Sequence, residues 1–303
     1  MHSEYDVVIL GTGPAGLQAA VHAARAKVDV AVLGRVQRSS LYKAHIENYC
    51  CLDGTLTGAR ILEDGRRQAE KFGARLFDLD VLKLDRTQDG RYTINLESGE
   101  TLLSRSVILA MGISRNRLNV QGEKELLGKG VSYCVDCDGN FFRDQVVAVV
   151  GDESAACSGA LGLLMIAREV HLIYDELKAG EILLQQVSAS GIVKRPGRRV
   201  KAIEGKEQVE ALLLDNDEIV SCSGVFIELG AKGALELAAA LGVALDSETM
   251  RYVSTNKKQE TTVAGVYAAG DITGPPWQMA KAVGEGCVAG LEAAAYAKKQ
   301  RSI

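Results

Sequence analysis

Apolar residues in this chain fall either in short continuous runs or at helical spacing, and the alternation of the two predicts an α/β protein. Val7-Val8-Ile9-Leu10 is a continuous run, as expected of a strand buried on both faces. Gly11-Thr12-Gly13-Pro14-Ala15-Gly16 follows at once, Leu17, Ala20, Val21 and Ala24 then recur at helical spacing, and residues 28–33 read as the next strand. Strand, glycine-rich turn, helix and strand is the context in which G-x-G-x-x-G marks a dinucleotide site. Gly11 permits the tight turn, Gly13 lets a pyrophosphate approach the backbone, and Gly16 lets the helix pack close to the strand. The helix N-terminus then holds the phosphate charge. The second strand ends in Gly34-Arg35, where an acidic residue usually grips a ribose.

Residues 37–54 are polar and patternless, which predicts a long loop, and Cys50-Cys51 near its end read as two separate thiols. Residues 59–72 read as an amphipathic helix with a solvated face. From 76 to 103, alternating runs broken by Gln88-Asp89-Gly90 and Glu97-Ser98-Gly99 predict hairpins. Val107-Ile108-Leu109-Ala110 is a further buried strand, closed by Met111-Gly112. The pattern then restarts. Val146-Val147-Ala148-Val149-Val150 enters Gly151, a helix of small residues spans 155–166, and 170–174 is a strand. This internal repeat has a damaged turn, because Glu153 stands where the second glycine should admit a pyrophosphate. Asp175-Glu176 after the second strand suit a ribose hydroxyl and oppose a 2′-phosphate. Further on come a basic run at 194–201, a hairpin at 215–217 and a strand at 225–227. A strand at 263–268 leads into Ala269-Gly270-Asp271, a last helix opens at Pro275-Pro276-Trp277-Gln278-Met279, and the tail from Lys298 reads as frayed.

Composition narrows the class. The 303 residues suffice for two domains, and 47 % hydrophobic with 24 % charged residues is ordinary for a globular protein. A net charge of -4 argues against a general nucleic-acid binder. The N-terminus lacks a basic region followed by an apolar run, and no run reaches transmembrane length, so a cytoplasmic protein with no membrane partner is expected. Seven irregularly spaced cysteines do not form a secreted disulfide framework.

Cys134-Val135-Asp136-Cys137-Asp138 carries the C-x-x-C motif. At a helix start such cysteines can close a disulfide or open to a dithiol, and the free N–H groups stabilise a thiolate. Asp138 stands where a carboxyl could move the proton that thiol exchange needs. Structural zinc would need four ligands, and no second C-x-x-C or nearby histidine is present. Redox chemistry is therefore favoured over zinc, and two inert buried thiols remain the plain alternative.

Taken together, these motifs resemble low-molecular-weight thioredoxin reductase over essentially the whole chain. The segments that carry the resemblance are Gly11 to Gly16, Glu47-Asn48-Tyr49, the Cys134–Cys137 box with Asp138-Gly139, Gly265 to Asp271, and Gln278-Met279-Ala280 running into Gly286-Cys287. The resemblance implies two Rossmann-like (three-layer ββα) nucleotide-binding domains. An FAD-binding domain at 1–115 and 233–303 would be interrupted by a second domain at 116–232. It implies FAD held by Gly11, Gly13, Pro14, Ala15, Gly16, Asn48, Ala110, Gly112, Gly270, Asp271, Gln278, Met279 and Ala280, with no metal. Cys137 would face the flavin, Cys134 would attack the partner disulfide, and Asp138 would serve as acid and base. A thioredoxin-like acceptor, a homodimer, and hinges near 114–118 and 230–233 are also implied.

Departures from that family concentrate where NADPH would bind. Its turn has a glycine at the Glu153 position, and its basic stretch for the 2′-phosphate is Tyr174-Asp175-Glu176-Leu177-Lys178 here. Gln37-Arg38-Ser39-Ser40 replaces a Gly-Gly-Gln-Leu, Cys50-Cys51 a Pro-Gly, and Trp277 an arginine. The expectation is therefore an FAD-dependent disulfide reductase that does not use NADPH. Its electrons would come from ferredoxin, which the basic run could attract, or from a second bound FAD. An NADH-dependent reductase and a flavin-bearing redox sensor are the alternatives.

Overall fold

The computed structural model describes residues 3–113, 117–230 and 233–301. The chain divides into two compact units. One comprises Met1–Leu96, Glu100–Ile113 and Leu237–Ile303, and the other Glu97–Gly99 and Ser114–Glu236. The hinge segments expected from the sequence lie partly outside the described residues, at 114–116 and 231–232.

In the first unit the strand Glu4–Leu10 sits inside a seven-stranded sheet, between Val30–Leu33 and Thr101–Leu109, and is parallel to both. Arg75–Phe77 extends one side in parallel. On the other side, the first part of Thr101–Leu109 takes the antiparallel hairpin Tyr92–Leu96 and Val81–Arg86, while its last part pairs with Val266–Ala268. Val7, Val8, Ile9, Val107 and Ile108 are fully buried, which is why these segments read as unbroken apolar runs and not as alternation.

Two helices pack against one another over this sheet, Pro14–Arg25 and Met279–Arg301. Their closeness is set by small residues. A Cβ added at Gly286 would lie 2.2 Å from the Ala15 carbonyl oxygen, and one at Gly290 would lie 2.4 Å from that of Ala19. The long helix does not fray where the sequence suggested. Its end is held by Arg301, whose Nε donates to the buried Asp6 carboxylate at 2.7 Å. The 37–54 segment is also less irregular than expected, with a 3-10 turn at Val36–Arg38 and a short pairing of His45–Ile46 with Leu56–Thr57.

The second unit repeats the theme. Its five-stranded sheet runs Val193–Arg195, Glu169–Ile173, Val146–Val150, Gly224–Ile227 and Val131–Ser132, all parallel. The helix Ser154–Leu163 follows the Val146–Val150 strand, shorter at its C-terminus than the pattern suggested. An antiparallel three-stranded sheet, Val200–Glu204, Ala211–Leu214 and Ile219–Ser221, joins the same apolar cluster through Ile203, Leu212, Leu214 and Val220. The α/β architecture with parallel central sheets is the one the sequence predicted.

The glycine contacts give a direct test. Gly290→Val should cost about 3 kcal/mol, since the added methyls meet backbone that cannot retreat. By contrast Gly284, in the same helix, meets nothing within 4 Å. Gly284→Ala should therefore stabilise by up to about 1 kcal/mol. Urea unfolding midpoints of the two variants should move in opposite directions.

Candidate active site

Cys134 and Cys137 are joined by a disulfide, S–S 2.03 Å with Cα atoms 5.3 Å apart. The edge strand Val131–Ser132 delivers Cys134 to the N-cap of the four-residue helix Val135–Asp138, and Cys134 Sγ accepts from the Cys137 backbone N–H at 3.1 Å. Val135 anchors this turn; a Cβ on Gly159 would lie 2.9 Å from its Cγ2. Cys137 is exposed and Cys134 half-buried. Neither zinc coordination nor inert buried thiols describes this pair. Inert thiols exist elsewhere, because burial pushes Cys157 up to about 11 and Cys222 up to about 12.

Polar groups around the disulfide are fixed. The Ser132 hydroxyl donates to Asp138 Oδ2 at 2.6 Å, and its oxygen accepts from the Cys134 N–H at 3.0 Å. Asp138 is thereby held in the same turn as both cysteines. Beneath the helix start, the buried Glu228 side chain accepts from the Val135 N–H at 3.1 Å. Sequence reasoning named Asp138 and missed Ser132 and Glu228. Ser132 lies two residues before the motif and was within reach of a local reading. Glu228 arrives from 93 positions away and was not.

In the first unit, Gly11, with φ +115°, ends the strand, and Gly13 is the N-cap of Pro14–Arg25. A Cβ on Gly11 would lie 2.2 Å from the Ala110 carbonyl oxygen, and one on Gly16 would lie 1.9 Å from that of Gly11, so both glycines are required by the fold. Gly13 differs. Its Cβ would meet only Ser39 Oγ, at 3.5 Å, an ordinary contact. The protein's own packing leaves room there, and no side chain caps the helix, so its first N–H groups remain to be satisfied. A glycine kept where the fold needs none fits a ligand phosphate approaching that helix end. Gly270, φ +88°, lies against Ala15, with a Cβ reaching 3.0 Å from the Ala15 Cβ. Burial raises the Asp271 carboxyl above its usual range, although Lys281 pulls the other way.

The turn carrying Gly270 and Asp271 is staked by residues the sequence reading did not single out. Half-buried Lys281 donates to the carbonyls of Gly270 at 2.8 Å and Gly274 at 2.7 Å, and pairs with Glu285 at 3.0 Å. Glu285 in turn accepts from the Gly270 N–H at 2.8 Å. Their i,i+4 spacing was the available signal. Asn48 Nδ2 donates to Gln278 Oε1 at 3.2 Å, joining two segments 230 positions apart. Met279 and Ala280 open the long helix, and Gly112, φ +70°, follows Ala110 with nothing within 4 Å of its Cβ position.

At the second glycine-rich turn, a Cβ on Gly151 would lie 2.1 Å from the Glu228 carbonyl oxygen, while Glu153 is the N-cap of Ser154–Leu163. The turn is bonded to the segment after the next strand: the Lys178 N–H donates to the Asp152 carbonyl at 2.6 Å and the Asp175 N–H to Asp152 Oδ1 at 2.8 Å. Two expectations change here. Arg199 hydrogen-bonds Asp175 at 2.8 Å and holds its carboxyl below the usual range, so Asp175 opposes a phosphate less than its sequence position implied. The basic run is also not a free cationic patch. Lys194 donates to the Val187 and Ser188 carbonyls, Arg195 pairs with Glu218, and Lys201 pairs with Asp217.

Residues 5–286 match the model of the pyridine nucleotide-disulphide oxidoreductase family. Over 98 % of its length the chain is 35 % identical to thioredoxin reductase from Mycolicibacterium smegmatis, covering 97 % of that protein. It is 34 % identical to the bifunctional thioredoxin reductase/thioredoxin of Mycobacterium leprae over 95 % of its own length, and spans 65 % of that longer protein. Among solved structures, the atypical thioredoxin reductase from Desulfovibrio vulgaris Hildenborough superposes with a TM-score of 0.85, at 36 % identity over 97 % of this chain and 98 % of that one. A ferredoxin-flavin thioredoxin reductase from Clostridium acetobutylicum gives 0.70, at 29 % identity over 99 % of both chains. The chain belongs to the pyridine nucleotide-disulphide oxidoreductase family, which implies FAD as its cofactor. Within that family it is a thioredoxin-reductase-like disulfide oxidoreductase carrying the Cys134–Cys137 disulfide. Among the described residues, no helix is long and apolar enough to cross a membrane.

Glu228 makes the support of the disulfide turn testable. Glu228→Ala leaves the Val135 N–H without its partner and should cost about 1–3 kcal/mol. Glu228→Gln keeps an acceptor and should recover most of it. Thermal unfolding of the two variants, with the disulfide intact, distinguishes the outcomes.

Proposed function

We propose that this enzyme reduces the disulfide of a thioredoxin-like protein through Cys134 and Cys137, and that NADPH is not its electron donor. The FAD would be held by the Gly11–Gly16 turn, Ala110, Gly112, Gly270 and Asp271, with Asn48, Gln278, Met279 and Ala280 at its reactive ring. When bound and reduced by the donor, FAD would supply the electron pair that, with two protons, takes the Cys134–Cys137 disulfide to a dithiol. In the resulting dithiol, the Cys134 thiolate attacks a sulfur of the partner disulfide and forms a mixed disulfide. Cys137 then attacks Cys134, which releases the partner as a dithiol and restores the ring. Asp138, steadied by Ser132, moves the proton that each thiol loses or gains.

The observation that carries the donor assignment is Glu153 at the N-cap of Ser154–Leu163. A nucleotide pyrophosphate at that helix end would meet a carboxylate where close approach needs a bare backbone. Bulk and like charge together cost on the order of 1–3 kcal/mol. Arg199 beside Asp175 softens the objection at the 2′-phosphate position but not at the pyrophosphate. It also engages the carboxylate that an NADH-dependent enzyme would turn to the ribose. The likeness to an atypical thioredoxin reductase and to a ferredoxin-flavin thioredoxin reductase supports a donor such as ferredoxin, or a second bound FAD.

Anaerobic stopped-flow on the flavin-loaded enzyme tests this. Millimolar NADPH should leave the flavin oxidised, whereas reduced ferredoxin should bleach it. If Glu153 is the obstacle, Glu153→Gly should bring measurable NADPH reduction. Rapid bleaching of the wild-type flavin by NADPH would overturn the assignment, and a flavin-to-chain ratio of one would remove the second-flavin donor.

A further inference from the structure

Cys50 and Cys51 are exposed neighbours that the disulfide chemistry above does not use. The Leu52 N–H donates to the Tyr49 carbonyl at 3.2 Å, so the two cysteines are the central pair of a tight turn. Cys51 has φ +72° there. Positive φ at the third position is the type II arrangement, for which glycine is the usual occupant. The turn brings the two sulfurs to 3.4 Å from one another, with both cysteines free and no disulfide between them.

Three fates are open to such a pair, and distances choose between them. Closing a disulfide would draw the sulfurs in to about 2.05 Å. Adjacent Cα atoms are about 3.8 Å apart across a trans peptide. Ordinary disulfides need at least about 4.4 Å, so this ring is strained and easily reduced. Tetrahedral zinc with bonds of about 2.3 Å spreads two thiolates to roughly 3.8 Å and asks for further protein ligands. Among the described residues, no group of three or more His, Cys, Asp or Glu side chains is placed to hold a metal ion. A centre that needs only two sulfurs, each set one covalent bond from it, meets neither objection.

We propose that Cys50 and Cys51 form a dithiol clamp for trivalent arsenicals, separate from the Cys134–Cys137 couple. With phenylarsine oxide, two S–H bonds and the As–O bond are exchanged for two As–S bonds and one water, and arsenic stays trivalent. No oxidant or reductant is required. The gain over a single thiol is that of an intramolecular second bond, about 100-fold or more in affinity.

The test uses full-length, flavin-loaded protein with Cys134→Ser and Cys137→Ser, so that the redox dithiol cannot compete. Phenylarsine oxide is added, excess is removed, and free thiols are blocked with N-ethylmaleimide before trypsin digestion. Peptide 44–60 contains only Cys50 and Cys51 among the cysteines. It should escape alkylation when arsenical is present and be alkylated twice when it is absent. A dithiol such as dimercaptopropanol should strip the arsenical, and an equal concentration of 2-mercaptoethanol should not. Cys50→Ser should weaken binding about 100-fold or more. Cys51→Gly, which suits the positive φ, should lose binding while keeping the fold. Equal alkylation with and without arsenical would overturn the proposal. So would retention of tight binding in either variant, or recovery of peptide 44–60 as an internal disulfide before any treatment.

Discussion

Backbone approaching backbone is the contact on which the first unit depends. Gly11 lies against Ala110, Gly16 against Gly11, Gly286 against Ala15 and Gly290 against Ala19, and in each case a single Cβ would sit within 2.4 Å of a carbonyl oxygen. These contacts fix the helix Pro14–Arg25 against the sheet and alongside the long C-terminal helix. The N-terminus of that helix is then presented beside Gly270 and Asp271 with its N–H groups uncapped. Gly13 is the exception that gives the others meaning, since the fold would accept a side chain there and an approaching phosphate would not.

A comparable economy appears in the second unit. Gly151 allows the Glu228 backbone to come close, and the Glu228 side chain continues to the Val135 N–H at the start of the disulfide helix. One residue thus links the central parallel sheet to the redox turn. The same sheet supplies Ser132, which orients Asp138 and accepts from Cys134. The disulfide is held by its own helix start, one hydroxyl and one buried carboxyl. Charge at the second glycine-rich turn is arranged differently. Glu153 occupies the helix cap, and much of the basic run after it is spent on internal pairs with Asp175, Asp217 and Glu218.

Much of this was legible in the sequence because it is local. Apolar runs gave the buried parallel strands, since a strand covered on both faces has no polar alternation to show. The first glycine-rich turn and the C-x-x-C helix start are contained in six and four residues, and both were recognisable from spacing alone. What escaped was whatever depends on residues distant in sequence or on a neighbour's charge. Asp175 looked repulsive until Arg199, 24 positions away, was beside it. The run at 194–201 read as a solvated turn that could also attract an acidic partner, and its internal pairs were not visible in the sequence. The tail at Arg301 looked frayed because nothing in the sequence announces that Asp6, 295 positions earlier, waits buried for it. The closeness of the free Cys50 and Cys51 sulfurs also escaped, because turn geometry decides how far apart neighbouring sulfurs lie.

The central claim is that the Cys134–Cys137 disulfide exchanges electrons with the bound flavin, and counting electrons tests it most directly. Anaerobic titration with dithionite should show the wild-type enzyme taking up one electron pair more per chain than the variant carrying both Cys134→Ser and Cys137→Ser, because a disulfide is a two-electron couple. Equal uptake by the two proteins would show that this disulfide stands outside the redox path and would contradict the account.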